Sequence, residues 1–375
     1  MQFLKQLHRS PLVLIACIWL LAVSGCTRNE EPEPPNQPEV SEYAGLYVLN
    51  EGQWTLNNAS LSYYGTGPAF EHFPAFFQQQ LGLSIGDVAN DILLEEDTLY
   101  ILVNGSRLLY KINLQNWELL GQMSFPEGAD VRQIAQEPGT GRAAVSSLTD
   151  GTLYLVNLRE LSVTATLPIE NYCEGLCWAG GKLFVAVGNY TQGNVNRKLA
   201  ILDSGAEQFR YRELPYYNPT GIFALQSGQL LVACHGTFFQ ENSPGGLLLL
   251  DPSSEELTDS IRLPGTALGG KALFPGQAFF FISGDKNGNV EGIARLALDE
   301  AFGEEALQLN ALNTNSLGFE ENEIPYGLNA NPARNELYLT SYQGAVNGTL
   351  RILRPDGSLL HTLETGIFPG ETFYY

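Results

Sequence analysis

Apolar, strand-like runs recur along the chain in one order, which predicts seven copies of a single β-sheet unit. Each unit begins with an apolar run, passes through a tight turn and continues into a second apolar run of the Leu-Tyr type. The spacing of the second runs is about 40 to 60 residues, close to the length of a four-stranded propeller blade. They centre on Leu46-Tyr47, Leu99-Tyr100, Ala143-Ala144, Leu183-Phe184, Leu230-Leu231, Ala278-Phe279 and Leu337-Tyr338. With a third run and a weaker fourth in each unit, the pattern predicts an all-β, seven-bladed β-propeller.

The first strand of the unit is missing where the repeat begins and is present where the chain ends. A Pro-rich polar stretch precedes Leu46, whereas Pro369–Tyr375 resembles the first strands of the later units. We therefore expect the C-terminal strand to complete the first blade and to close the ring without a covalent link. Such closure removes the sheet edges that would otherwise invite aggregation. The alternative is a frayed apolar tail.

Residues 1–25 have the character of a signal peptide. Lys5 and Arg9 form a basic start, and the apolar run Pro11–Val23 is short for a membrane span. Small residues lead into Cys26, an arrangement that resembles the lipobox of bacterial lipoproteins, so Cys26 is predicted to be lipidated. The alternative is an ordinary cleaved signal with a chance cysteine.

Residues 26–42 are acidic and Pro-rich, with too little apolar surface to bury a core. They predict an extended tether, and residues 43–375 are then the propeller. The pair Glu30-Glu31 resembles the surface-export signal of Bacteroidota lipoproteins. We therefore expect the protein to be held by a lipid anchor in the outer membrane, facing the cell exterior.

The charge balance excludes one class of partner. The chain has 41 acidic and 20 basic residues, a net charge of −21. A chain this acidic is repelled by nucleic acid and gains nothing from an anionic lipid surface. After the predicted lipidation site, three cysteines remain, and Cys173 and Cys177 are too far apart on one strand for a disulfide bond.

One face of the predicted ring collects aromatic and amide side chains. In a propeller, the links into the inner strands and the loops between the second and third strands share a face. These loops are long in blades one and four to seven and short in blades two and three. We therefore predict a binding site that is bordered by blades one and four to seven and is open over blades two and three. Aromatic rings beside amide side chains are typical of ligand-binding sites. The candidate ligand-binding residues are Trp54, Asn104, Arg132, Tyr172, Tyr190, Tyr217, Phe238, Phe239, Asp285, Tyr326 and Tyr342. The alternative is that each ring packs on its own blade.

Motifs of zinc and phosphate-binding catalytic sites are missing from the sequence. There is no His-Glu-x-x-His and no P-loop, and the histidines of residues 43–375 lie in different blades. Residues 285–291 partly match a calcium loop, but Val290 stands where an EF-hand loop has glycine, which favours a polar turn. The sequence therefore predicts no catalytic residue, no metal and no cofactor, and a protein that is not an enzyme.

Two segments resemble the opening blades of YncE-like, YVTN-type propeller lipoproteins of Bacteroidota. They are LYVLNEGQWTLNNASLSYY (46–64) and GDVANDILLEEDTLYILVNGS (86–106); blade three departs from the family pattern with GRAAVSS. The resemblance implies a surface lipoprotein similar to those that bind cobalamin (vitamin B12) and pass it to a TonB-dependent transporter. The alternatives are a protein- or glycan-binding surface scaffold without a small-molecule ligand, and a propeller hydrolase or lyase.

Overall fold

The computed structural model describes residues 43–67, 70–188, 195–237, 243–285, 287, 289–312 and 314–375. Their strands form seven four-stranded antiparallel sheets, as the repeat predicts. Within the described residues, no helix is long and apolar enough to cross a membrane.

Each sheet runs from an inner strand beside the channel to an outer strand at the rim. Blade one contains, in that order, β28 (Pro369–Tyr374), β1 (Gly45–Asn50), β2 (Ser60–Gly65) and β3 (His72–Phe73). Blade two contains β4 (Ala89–Glu95), β5 (Thr98–Val103), β6 (Leu108–Asn113) and β7 (Glu118–Ser124). Blade three contains β8 (Val131–Gln136), β9 (Arg142–Ser147), β10 (Thr152–Asn157) and β11 (Ser162–Pro168). Blade four contains β12 (Cys173–Ala179), β13 (Lys182–Val187), β14 (Lys198–Asp203) and β15 (Arg210–Glu213).

The remaining blades follow the same order. Blade five contains β16 (Pro219–Ala224), β17 (Leu230–Cys234), β18 (Gly246–Leu250) and β19 (Leu257–Arg262). Blade six contains β20 (Thr266–Phe274), β21 (Ala278–Gly284), β22 (Val290–Ala297) and β23 (Leu307–Leu312). Blade seven contains β24 (Ile324–Asn331), β25 (Glu336–Tyr342), β26 (Thr349–Leu353) and β27 (Leu359–Glu364).

The C-terminal strand closes the ring, which confirms the prediction from the sequence. β28 pairs antiparallel with β1, and backbone hydrogen bonds of 2.9 Å join Gly45 and Tyr375 in both directions. β28 also lies between β24 and β4, the inner strands of the blades on either side. The tail is therefore the inner strand of blade one rather than a frayed end.

The core lies between neighbouring blades, where the apolar faces of their sheets meet. The second strands are almost entirely buried because both of their faces are covered; in β1 the burial extends along the whole strand. Between blades one and two, the Tyr47 ring stacks on Phe373 at 4.8 Å and on Trp117 at 5.7 Å. Aromatic stacking thus fixes the closing strand against the rest of blade one.

Two features depart from the repeat. A short helix, α1 (Phe76–Leu81), follows β3, buries Phe76 and Phe77, and ends at Gly82 with φ of 67°. Its six residues include three apolar ones, too few to show a helical period, so the sequence gives no sign of it. Elsewhere the first and second strands are joined by tight turns, for example at Glu96-Asp97, Gly180-Gly181 and Ser227-Gly228.

The second departure is the acidic segment 299–323, which includes the strand β23 and two short 3-10 turns, Glu304–Ala306 and Thr314–Leu317. Arg351 of blade seven holds the end of this segment. Its guanidinium donates to the carbonyl oxygens of Leu317 and Gly318 at 2.9 Å and pairs with Glu323 at 2.6 Å. The segment is therefore fastened to the next blade by a buried ion pair.

Candidate functional site

The inner strands surround a cavity of about 740 Å³ on the channel axis. The residues that line it lie mainly in the first half of each inner strand or just after a second strand, so it lies towards the face where the inner strands begin. All seven blades contribute. The polar and charged lining residues are Glu51, Asn90, Asp91, Arg132, Gln133, Glu174, Thr220, His235, Lys271, Tyr326, Asn329 and Glu371.

Every inner strand carries a register shift, a β-bulge, beside this cavity. In β8, for example, Val131 pairs with Ser147 and Ile134 with Val145, which leaves an additional residue on the inner strand. The corresponding shifts lie at 89–91, 173–176, 219–221, 268–271, 325–328 and 369–372. A bulge bends the strand and redirects a side chain. The seven bulges therefore explain why polar side chains near the beginning of apolar strands line the channel.

Glycine permits the inner strands to approach closely in blade seven. A Cβ atom added to Gly327 would overlap the Gly370 carbonyl oxygen and the Thr340 hydroxyl. The Gly327 N–H donates to that hydroxyl at 2.8 Å, and Thr340 Oγ1 donates to the Pro369 carbonyl at 2.5 Å. This contact joins blade seven to the closing strand directly beside the cavity.

Three carboxylates from blades one and two form what we call the acidic arc: Glu51, Asp91 and Glu371. Burial raises the pKa of Glu51 to about 7, against the opposing effects of Arg132 and of a hydrogen bond from Tyr326. Burial and the charge of Glu371 also raise the pKa of Asp91, and burial raises the pKa of Glu371. The wall of blades one and two is thus rich in carboxylates that are costly to ionise together.

The acidic arc is held in place by hydrogen bonds across blade boundaries. Asp91 accepts from the Ile92 N–H at 2.9 Å and from the Ile134 N–H of blade three at 2.8 Å. Glu371 accepts from the Asn329 amide of blade seven at 2.6 Å. The carboxylates are therefore preorganised rather than free to swing into solvent.

The cations of the wall lie on blades three and six. Arg132 lies 3.5 Å from the Glu174 carboxylate. Lys271 donates to the Gly269 carbonyl at 2.9 Å, and burial lowers its pKa to about 8. Arg132 also acts on the acidic arc, since its charge opposes the rise in the pKa of Glu51 and of Asp91.

An aromatic cluster lies beside the cavity on blades seven and one. The Tyr326 and Tyr342 rings meet edge to face at 5.4 Å, and Phe368 packs on Tyr342 at 4.7 Å. Tyr326 reaches the cavity wall, where its hydroxyl bonds to Glu51. Of the ligand-binding residues predicted from the sequence, Arg132 and Tyr326 line this cavity. Tyr342 packs behind Tyr326.

The other predicted residues have local contacts. Asn104 donates to Asp130 at 2.7 Å and to the Val131 carbonyl at 2.8 Å, so it positions the start of β8. The Tyr217 ring lies 5.5 Å from the guanidinium of Arg197.

Three further predicted residues lie in loops or links of the same face. Tyr172 adopts a φ of 67° just before β12. Asp285 accepts hydrogen bonds from Asn287 and Asn289 within its own turn, as expected for a polar turn. Trp54, in the loop between β1 and β2, is 62% exposed. Tyr190, Phe238, Phe239 and Cys26 lie outside the described residues.

The predicted outline of the site is corrected in one respect. We expected a site open over blades two and three because their loops are short, but Asn90, Asp91, Arg132 and Gln133 of those blades are part of the wall. The inner strands form this wall, so loop length does not delimit it. Within the described residues, no group of three or more His, Cys, Asp or Glu side chains is arranged to hold a metal ion.

Comparisons with known proteins support the fold. No family model and no curated protein matches the chain. Among solved structures, Kuenenia stuttgartiensis hydrazine synthase matches with a TM-score of 0.54 and 15% identity, over 75% of this chain and 87% of that one. The dihydro-heme d1 dehydrogenase NirN in complex with DHE matches with a TM-score of 0.54 and 10% identity, over 91% of this chain and 78% of that one. Both are named for enzymatic activities, and at these identities the likeness shows the seven-bladed fold alone.

Proposed function

We propose that this protein is a ligand-binding propeller that holds a bulky polar molecule in the channel cavity, and that the molecule is cobalamin or a related corrinoid. The observation that carries the binding role is the set of seven bulges, which turn polar side chains into one cavity of about 740 Å³. Small-molecule sites occupy about 300–1,000 Å³ and combine apolar walls with a few convergent polar groups. A propeller needs no buried carboxylates on its axis to be stable, because its core lies between the blades.

The corrinoid is proposed from the resemblance of residues 46–64 and 86–106 to cobalamin-binding propeller lipoproteins. The chemistry of the wall is compatible with it, since the amide side chains of a corrinoid donate hydrogen bonds that Glu51, Glu371 and Asn329 can accept. Trp54 is exposed on a loop at the face where the inner strands begin, where its ring could cover an apolar edge of the ligand. Lipidation at Cys26, display on the cell exterior and transfer to a TonB-dependent transporter belong to the same proposal.

Calorimetric titration of the purified protein with cyanocobalamin tests the proposal. We expect saturable binding that is abolished by Gln133→Trp, because Gln133 lines the cavity and an indole there would occupy it. The matched control is Gln122→Trp on the exposed side of the outer strand β7, which should bind as the unmodified protein does. Absence of heat and of co-elution at micromolar concentrations would contradict the corrinoid, and equal binding by both variants would contradict the cavity.

A second candidate, a protein- or glycan-binding scaffold, is favoured by the apolar residues on the same face. Trp54 and Leu56 in the loop of blade one and Val346 in the loop of blade seven are exposed. A scaffold would bind its partner through these loops and not through the cavity. Trp54→Ser would then abolish capture of the partner, whereas Gln133→Trp would leave it unchanged.

A further inference from the structure

Lys271 is the one lysine of the described residues that lines the channel cavity. Its stem crosses Gly221 of blade five, where an added Cβ atom would lie 3.1 Å from Lys271 Cδ. Its amine nitrogen lies 2.9 Å from the Gly269 carbonyl oxygen, to which it donates a hydrogen bond. Because Gly221 and Gly269 also line the cavity, the stem and the amine both lie along the cavity wall.

The partner of this amine distinguishes it from two other lysines. Lys182 and Lys198 pair with the carboxylates of Glu255 and Glu170 at 2.8 and 2.6 Å. Lys271 has no carboxylate within salt-bridge distance in the part of the chain that the structure describes, and its hydrogen bond goes to a backbone carbonyl. An ammonium group without a counterion in contact is held in its charged form less strongly than a paired one.

The surroundings of Lys271 favour the neutral amine. Burial lowers the pKa of Lys271 to about 8; the charge of Glu174 opposes this shift and that of Arg132 adds to it. At pH 7 about a tenth of such amines are neutral, compared with about one in 2,500 for a lysine with an ordinary pKa of about 10.4. Only the neutral amine is a nucleophile, and desolvation or a neighbouring cation activates lysine in this way.

We propose that Lys271 binds ligands that carry an aldehyde or ketone group, reversibly and covalently, as an imine. The amine nitrogen attacks the carbonyl carbon, a C–N bond forms, and one proton passes from nitrogen to the carbonyl oxygen to give a carbinolamine. Loss of water, which takes the hydroxyl group and the remaining N–H proton, forms the C=N bond. The sum is amine and carbonyl compound to imine and water, so the step needs no oxidant or reductant, and hydrolysis releases the ligand.

This site is additional to the non-covalent corrinoid binding proposed above. A charged ligand group fits the amine less well, because an anion would also meet the acidic arc and Glu174. A cation would be repelled by Lys271 and Arg132. A neutral carbonyl group avoids both repulsions, and the cavity of about 740 Å³ has room for the rest of its ligand.

Reductive trapping with butanal tests the proposal. The purified protein is incubated at pH 7 with butanal and sodium cyanoborohydride, which reduces an imine to a stable secondary amine, and each lysine is followed by peptide mapping. The neutral fraction of Lys271 is roughly 200-fold that of an ordinary lysine, and the lower nucleophilicity of a less basic amine offsets part of this. We therefore expect Lys271 to be butylated at least about tenfold faster than the partly exposed Lys198.

Two controls show whether the cavity causes the preference. Trapping in urea should make Lys271 and Lys198 equally reactive, because the unfolded chain has no cavity. Gln133→Trp should slow the trapping of Lys271, since an indole would occupy the cavity, whereas Gln122→Trp on the outer strand β7 should not. Trapping of Lys271 no faster than of Lys198 in the native protein, or a preference that persists in urea, would overturn the imine site.

The outcomes separate the imine site from the proposed function. Cyanocobalamin has no aldehyde or ketone group, so protection of Lys271 by cyanocobalamin is the result expected if both proposals hold. Selective trapping of Lys271 without cyanocobalamin binding would support the imine site and refute the corrinoid. Cyanocobalamin binding without selective trapping would refute the imine site and leave the binding role intact.

Discussion

Replacement of Phe373 by alanine tests how strongly the C-terminal strand closes the ring. Phe373 is 6% exposed and its ring stacks on Tyr47 with an interplanar angle of 7°. Truncation of a buried phenylalanine costs about 3–5 kcal/mol in the free energy of unfolding. Domains are typically stable by about 5–15 kcal/mol, so this one change should remove about a fifth or more of the total free energy of unfolding.

Urea-induced unfolding followed by tryptophan fluorescence measures the effect. Trp117 lies in the same aromatic cluster, so the signal reports directly on this part of the ring. The matched control is Leu359→Ala on the outer strand β27, where the side chain is 43% exposed and the loss should stay below about 1 kcal/mol. A chain ending at Phe368 should lose its cooperative transition, because β1 would have no inner partner.

Two results would refute this reasoning. One is a Phe373→Ala variant whose free energy of unfolding falls no further than that of Leu359→Ala. The other is a truncated chain that still unfolds in one sharp transition at a similar urea concentration. Either would mean that the ring is held by contacts between the other blades and that β28 only covers an edge.

Three further predictions concern buried polar groups. Arg351→Met should lower the free energy of unfolding, measured by urea titration, by about 3–5 kcal/mol, because it leaves Glu323 buried without its counterion. Adding Glu323→Gln to this variant should recover part of the loss. Glu51→Gln should stabilise the protein at pH 8 and have little effect at pH 5 in thermal unfolding. Because the pKa of Glu51 is raised in the folded state, the folded protein binds one more proton than the unfolded chain between about pH 4.5 and 7. The free energy of unfolding therefore falls as the pH rises through that window. An equal stabilisation by Glu51→Gln at both pH values would contradict this. The thiols of Cys173 and Cys234, whose pKa values burial raises, should react with iodoacetamide in urea but only slowly in the native protein at pH 8, as measured by peptide mapping.

The fold could be predicted from the sequence because its signals are local and repeated. Each blade contains an apolar second strand and a turn rich in Gly, Asn or Asp, and seven copies reinforce one another. The closing strand was identifiable because Pro369–Tyr375 supplies the one element that the first unit lacks. Interactions between distant segments, such as the pair of Arg351 with Glu323, have no local signature and were not predicted.

The cavity wall was predicted only in part, for a geometric reason. Rim residues were sought in the links and loops, and of these Arg132 and Tyr326 reach the wall. Glu371 and Asp91 were missed because regular alternation along a strand does not reveal a bulge, which arises where seven inner strands crowd around one axis. The available signal is positional: in β4, β8, β12, β16 and β28 the second and third residues are polar, charged or glycine.

The bulges also determine how a ligand can be oriented. A ring of seven similar blades offers seven equivalent rotational settings to anything on its axis, so a perfectly regular propeller could not distinguish among them. In this protein the side chains at the bulges differ from blade to blade, with Asp91 and Glu371 on adjacent blades and Arg132 and Lys271 elsewhere around the circle. A ligand with one charged end and one bulky end would therefore bind in a single rotational orientation, although the scaffold itself is nearly symmetric.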